Sequence, residues 1–213
     1  MSMDAERIEA ESLVIADAHG CHTVVLYGSR ARGDADAGSD VDLLCIRAAG
    51  PTLRDARTVG GVYFDAFVYA PDALAAPDVA LLRIIGGRVL RERAGEGTAL
   101  LERVRAQFDA GPTPIAEDDR TMRIVWAHKM LDRVRRDEGV GGDYRRMQLV
   151  VQALEDYFAL RTLWYQGPKM AFPWLRGHDE GAYRAFEEAA RGDAGDEALG
   201  ALVRAVYGAT PER

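Results

Sequence analysis

The stretch that decides the fold is Val24–Ile46, VVLYGSRARGDADAGSDVDLLCI. An apolar run ends at Gly28-Ser29, ten residues follow, and Asp40-Val41-Asp42 opens a second apolar run. A strand repeats every two residues, so Asp40 and Asp42 project from one face, about 6.6 Å apart along the chain. Carboxylates spaced in this way suit a hard divalent cation such as Mg²⁺. The Gly28-Ser29 turn brings backbone N–H groups, the start of a short helix and a hydroxyl to one place, and such groups hold phosphate. A phosphate cradle beside a metal seat implies phosphoryl or nucleotidyl transfer.

Working outward, Arg32 lies one turn into the short helix, where it can reach a terminal phosphate or simply face solvent. Arg30 is a weaker candidate. Gly33 is the expected helix stop, and Ser39 is placed to cap the turn before Asp40. Asp65 sits mid-strand in YFDAFVY. A charge in such apolar company is costly unless something pairs with it, and an adjacent metal would do so.

The ordered combination in GSRARGDADAGSDVDLL resembles the DNA polymerase β-like nucleotidyltransferase superfamily, in particular its minimal and antibiotic-modifying bacterial branches. The resemblance covers the first half of the chain. It implies that Asp40 and Asp42 hold one or two Mg²⁺ ions, and that Asp65 is the third acid, completing the metal site or taking the acceptor's proton. It also implies that Gly28, Ser29 and Arg32 bind the phosphates of ATP or another NTP. A longer chain of this kind resembles the kanamycin and streptomycin nucleotidyltransferase type, with nucleotide on the sheet domain and acceptor in a cleft between domains.

The remaining pattern fits a two-part architecture. The expected fold is an α/β (α+β) N-terminal domain over 1–110, with a mixed sheet flanked by helices. A C-terminal all-α helical bundle would follow over 111–213. The junction falls at Ala110-Gly111-Pro112-Thr113-Pro114. A first amphipathic helix is expected over 4–19, capped by Asp4, with Ile8, Leu13, Val14 and Ala18 facing inward. Strands are expected at Val24–Tyr27, Val41–Ile46, Val62–Tyr69 and Arg88–Arg91, with an irregular connection ending at Gly60-Gly61. Pro71-Asp72 and Pro77-Asp78 read as helix starts, and Gly95–Gln107 as helix.

Beyond the junction, helices are expected over about 116–137, 143–166, 170–176, 180–190 and 195–207. The second of these is apolar nearly all round, as in the buried centre of a bundle. Gln148, Gln152, Glu155, Ala159 and Thr162 trace a narrow polar or small stripe along it. The stripe either lines an acceptor cleft, with Gln152 and Glu155 on the acceptor side, or forms a solvated edge. Lys169, after Gly167-Pro168 and near Tyr165 and Trp174, is a candidate contact for nucleotide phosphate or acceptor. Arg123 and His128 share the Arg-x4-His spacing of HEPN-type RNases. The pair lacks the polar residue that usually follows the arginine, so RNase activity is set aside.

Composition narrows the partners. The chain has 213 residues, 48% hydrophobic and 29% charged, as globular proteins do. Its net charge of −7 argues against extensive nucleic-acid binding and is compatible with a cationic small-molecule acceptor. No apolar run is long enough to span a bilayer, and the acidic start, MSMDAERIEAESL, is not a targeting peptide. Cys21 and Cys45 read as reduced core thiols, which makes the cytoplasm the simplest compartment. The expectation is an NTP-dependent enzyme that moves AMP onto a hydroxyl of a molecule such as an aminoglycoside and releases pyrophosphate. Its rivals are AMPylation of a protein or RNA partner, and a nucleotide-binding module without turnover.

Overall fold

The computed structural model describes residues 4–75, 78–137, 139–192 and 194–209. The chain divides into two compact units, Met1–Ala110 and Gly111–Arg213. The first is a mixed sheet with helices and the second is helical.

Unit one opens with α1 (Ala5–Ala18), whose first turn is capped by Asp4 accepting from the Arg7 N–H at 2.9 Å. Five strands follow: β1 (Cys21–Tyr27), β2 (Val41–Arg47), β3 (Leu53–Val59), β4 (Val62–Tyr69) and β5 (Arg88–Arg91). Their spatial order is β3-β4-β2-β1-β5. The β2–β4 pair is parallel, and every other neighbouring pair is antiparallel. A one-turn helix, α2 (Ser29–Arg32), leaves β1, and α3 (Glu96–Asp109) closes the unit.

Alternation splits the sheet into two faces. Val24, Leu26, Val41, Leu43, Cys45, Phe64, Ala66 and Val68 form a core with Ile8, Ile15 and Ala16 of α1. Tyr27, Asp42, Leu44, Asp65, Phe67 and Tyr69 therefore occupy the opposite face. Leu100 of α3 shares a small apolar cavity with Ile46 at the far end of β2 from Asp42.

Several local expectations shift. The α1 stripe is rotated: Ser12 and Ile15 are buried while Val14 is 60% exposed. Ser12 can be buried because its hydroxyl donates to the Ile8 carbonyl at 2.7 Å. The segment before Gly60-Gly61 is a strand, β3, not an irregular connection. It is a charged, largely exposed strand at the sheet edge, which hides its period from a hydrophobicity reading. Gly60 and Gly61, with φ of 57° and 84°, make the two-residue hairpin turn that joins β3 to β4. Pro71–Leu74 and Val79–Ile84 are short 3₁₀ turns. Pro77 lies outside the described residues, while Asp78 caps the second turn by accepting from the Ala80 N–H at 2.8 Å. Cys21 and Cys45 are buried free thiols.

Unit two contains α4 (Glu117–Val134), α5 (Gly139–Leu160), α6 (Pro168–His178), α7 (Glu180–Ala189) and α8 (Asp196–Tyr207). Leu149, Ala153, Leu154, Tyr157 and Phe158 of α5 pack with Leu175, Phe186, Leu199 and Leu202. The expected all-round burial of α5 does not hold. Val140, Tyr144, Met147 and Val151 form an exposed apolar row, each at least 59% accessible. Helical spacing puts these four on one side and the packed residues on the other. No described helix is long and apolar enough to cross a membrane.

Candidate active site

The site is built where β1 ends and β2 begins. Antiparallel pairing puts Tyr27 opposite Asp42, and parallel pairing puts Asp42 opposite Asp65. Asp42 and Asp65 thus stand on neighbouring strands, in register and on one face. Gly28 leaves β1 with φ of +74°. A Cβ on Gly28 would overlap the Asp42 carboxylate, 3.2 Å from its carboxyl carbon. The backbone between strand and α2 therefore passes directly over Asp42, which is close enough for one ligand to touch both.

Ser29 is the first residue of α2 and is buried. Gly33 ends the helix in the left-handed conformation, its N–H returning to the Ser29 carbonyl at 2.9 Å. Asp40 is exposed and precedes β2. Its loop is fastened by Arg30, whose guanidinium donates to the Ser39 carbonyl at 2.6 and 3.0 Å and to the Asp40 carbonyl at 3.2 Å. The weak phosphate candidate is thus a brace for the first carboxylate. Ser39 caps the turn before it, donating to Asp36 Oδ1 and accepting the Asp36 N–H, both at 2.9 Å. Arg32 faces Asp34 at 3.3 Å, its stem lying against Gly86.

Asp65 is 14% exposed and is held by Arg54 in a two-point bond, Nε to Oδ1 at 2.6 Å and Nη2 to Oδ2 at 2.8 Å. The cost of a carboxylate among aromatics is met here by a guanidinium. Arg83, in the second 3₁₀ turn, lies 4.2 Å from the Phe67 ring centroid and 5.9 Å from that of Tyr27, and donates to the Tyr69 hydroxyl at 2.7 Å. Burial raises the Tyr27 phenol pKa, Arg83 draws it down, and Asp42 and Asp65 push it up again. One hydroxyl thus senses all three charged groups.

Sequence reasoning missed Arg54 and Arg83. Arg54 sits in β3, whose charged sequence shows no apolar period. Arg83 sits in a segment with no period to read.

The carboxylate pair and the close Gly28 backbone fit a divalent ion: both offer or admit hard oxygen donors on one face. Among the described residues no three His, Cys, Asp or Glu side chains converge as a ready metal cluster. Asp42 and Asp65 stand as an in-register pair, and Asp40 lies on the adjoining loop.

In unit two, Gln152 donates to the fully buried Asp156 at 3.0 Å, and Asp156 also accepts from Arg123 and from the Tyr207 hydroxyl at 2.7 Å. Asp119, Met122, Arg123, Trp126, Gln152 and Asp156 line an open groove of about 400 Å³. Arg123 is thereby committed to a structural carboxylate. Gln148 and Glu155 are exposed on α5, Ala159 is partly buried, and Thr162 lies beyond the helix end with φ of 56°. Lys169 is exposed in the first turn of α6. Trp174 and Tyr165 pack their rings against Phe158.

Residues 19–74 match the family model of the nucleotidyltransferase domain, a span that includes Gly28, Ser29, Asp40, Asp42 and Asp65. The match makes this part of unit one similar to the polymerase β-like nucleotidyltransferases, and it spans the strands that carry the paired carboxylates. Their general chemistry is the transfer of a nucleoside monophosphate. Among solved structures, a nucleotidyltransferase-like protein from Exiguobacterium sibiricum 255-15 is similar at 14% identity and a TM-score of 0.44. The similarity covers 93% of this chain and 73% of that one. No curated protein matches the sequence.

Proposed function

We propose that this chain transfers AMP from ATP to a hydroxyl of a small cationic acceptor, such as an aminoglycoside, and releases pyrophosphate. The observation that carries this reading is Asp42, paired in register with Asp65 and roofed by the Gly28 backbone. In the reaction, the acceptor oxygen bonds to the α-phosphorus. The bridging oxygen between the α- and β-phosphates takes the bonding electrons and leaves with pyrophosphate. The acceptor's proton passes to a carboxylate, for which Asp65 is the candidate.

One or two Mg²⁺ ions held by Asp40, Asp42 and Asp65 would offset the phosphate charge and make the acceptor hydroxyl more acidic. Ser29 and the backbone of the α2 turn hold phosphate oxygens, and Arg32 reaches the tail. Glu155 and Lys169, both exposed on the helical unit, are the candidates there for holding an acceptor. The net charge of −7 suits a cationic acceptor. A second reading keeps the chemistry and makes the acceptor a protein. The exposed row of Val140, Tyr144, Met147 and Val151 favours it, since such a patch suits macromolecular contact.

The deciding experiment incubates the protein with each NTP, Mg²⁺ and a panel of aminoglycosides, metabolites and cell-extract proteins, reading pyrophosphate release and product mass. Addition of one AMP to a small acceptor supports the reading. Labelling of a protein alone selects the second reading, and no release with any acceptor overturns both.

A further inference from the structure

We infer that Arg83 is a phosphate-binding residue of this site, the cation that meets the β- and γ-phosphates and then the departing pyrophosphate. This rests on the nucleotidyl-transfer reading above and adds to it a residue outside the Gly-Ser and Asp-x-Asp motifs.

The Arg83 guanidinium touches rings on two strands, Tyr27 on β1 and Phe67 on β4. β2 runs between those strands, so the guanidinium lies over β2. Tyr27 is the direct partner of Asp42, and Phe67 is two residues from Asp65 on the same face. Leu44, which faces the same way as Asp42, is one side-chain step from it, about 6.6 Å. A charge there lies within reach of a triphosphate seated on the carboxylate pair.

The other guanidinium on this face, Arg54, gives two donors to Asp65. Arg83 has no carboxylate within ion-pair distance among the described residues, and its partners are a hydroxyl and two aromatic rings. Neutral contacts aim the side chain without cancelling its charge, and they leave donors of the guanidinium fork for an anion. A structural arginine on a surface carrying two aspartates would be expected to pair with one of them.

The 3₁₀ turn that carries Arg83 buries Leu81, Leu82 and Ile84 around it. The exposed arginine therefore projects from an anchored backbone, so little ordering entropy is lost on binding.

The test uses the full chain with Arg83→Met and Arg83→Lys. Methionine keeps packing over Phe67 and removes the charge. Lysine keeps the charge and loses the planar fork. Calorimetry with Mg²⁺ and ATP, pyrophosphate or AMP is read beside thermal melting. We expect Arg83→Met to weaken ATP and pyrophosphate binding about tenfold, leave AMP binding within twofold, and flatten the salt dependence of ATP binding. Arg83→Lys should recover part of the loss. Equal affinities for ATP and pyrophosphate in Arg83→Met and the parent overturn the inference and leave the transfer reading standing. An equal loss for AMP overturns it too, since that marks a packing role. Failure of the unmodified protein to bind any of the three would instead remove the transfer reading.

Discussion

Gly28 and Asp42 share one volume: the space a Cβ would fill at Gly28 is taken by the Asp42 carboxylate. Two demands thus meet at one residue. The backbone needs φ of +74°, and the carboxylate needs the missing side chain. Gly28→Ala should cost about 1–3 kcal/mol of stability, because φ of 74° with ψ of −158° is a conformation almost confined to glycine. It should cost more in function, because Asp42 must swing away, and a displacement of about 1 Å lowers rate roughly 100-fold. Thermal melting and pyrophosphate release measure the two effects. A variant with parental turnover would show that the Asp42 position is not critical.

Asp42→Asn should abolish transfer and leave the fold intact. The amide has the shape of the carboxylate but not its charge, so metal and phosphate lose several kcal/mol of stabilisation, a fall of about 10³-fold or more. The midpoint of unfolding without metal should move little, as Asp42 lies near the start of β2 and is only partly buried. Near-parental turnover in the purified variant would remove Asp42 from the metal seat.

The legible parts of this protein were those written in short-range chemistry. Gly28-Ser29 and Asp40-Val41-Asp42 carry their spacing in the chain, and Asp65 stands out as a charge among aromatics. The pairing of Asp42 with Asp65 was not legible, because register belongs to two strands at once. β3 was hidden because an edge strand rich in Arg and Asp shows no apolar period. Arg30 could be read as a phosphate ligand only until its donors were seen on the Ser39 and Asp40 carbonyls. In α5, a run of apolar residues reads as burial, yet Met147 and Val151 face outward. Hydrophobic content alone does not fix which side packs.

Arg54 holds both oxygens of Asp65. A cation bound to that carboxylate must displace or share with the guanidinium, so removing Arg54 should favour metal. Arg54→Met is expected to lower the Mg²⁺ concentration for half-maximal nucleotide binding by roughly threefold or more. Melting should change little, since Arg54 is 54% exposed on an edge strand. An unchanged Mg²⁺ titration would show that Arg54 does not compete for Asp65.

Asp179 caps α7, accepting from the Ala182 N–H at 3.0 Å and from the Tyr157 hydroxyl at 2.7 Å. These bonds, the backbone one foremost, lower its pKa. Burial pushes the Tyr157 phenol up to about 12, so it remains a donor at neutral pH. A carboxylate with a depressed pKa stabilises the fold above its unfolded value, near ~3.9, and loses that contribution as pH falls through the folded value. Asp179→Ala should therefore cost about 1–2 kcal/mol at pH 7. The gap from the parent should narrow below about pH 4. Urea unfolding at pH 7, 4 and 3 checks this. A gap that stays constant would show that the cap acts without its charge.

Glu155 decides whether the polar edge of α5 serves the acceptor. Its neighbour Gln152 is tied to Asp156, while Glu155 is exposed. An exposed carboxylate can pair with an ammonium group or take a proton, and the amide can do neither well. If it meets the acceptor, Glu155→Gln should raise the acceptor KM several-fold, lower kcat, or both, and leave the ATP dissociation constant alone. If the edge is only solvated, the change shifts stability by no more than ~0.5 kcal/mol and leaves kinetics untouched. Steady-state rates at saturating ATP, with a cationic and a neutral acceptor compared, separate the two. A KM effect confined to the cationic acceptor identifies ion pairing. Equal effects on both point to proton transfer, and unaltered KM and kcat return α5 to a solvated edge.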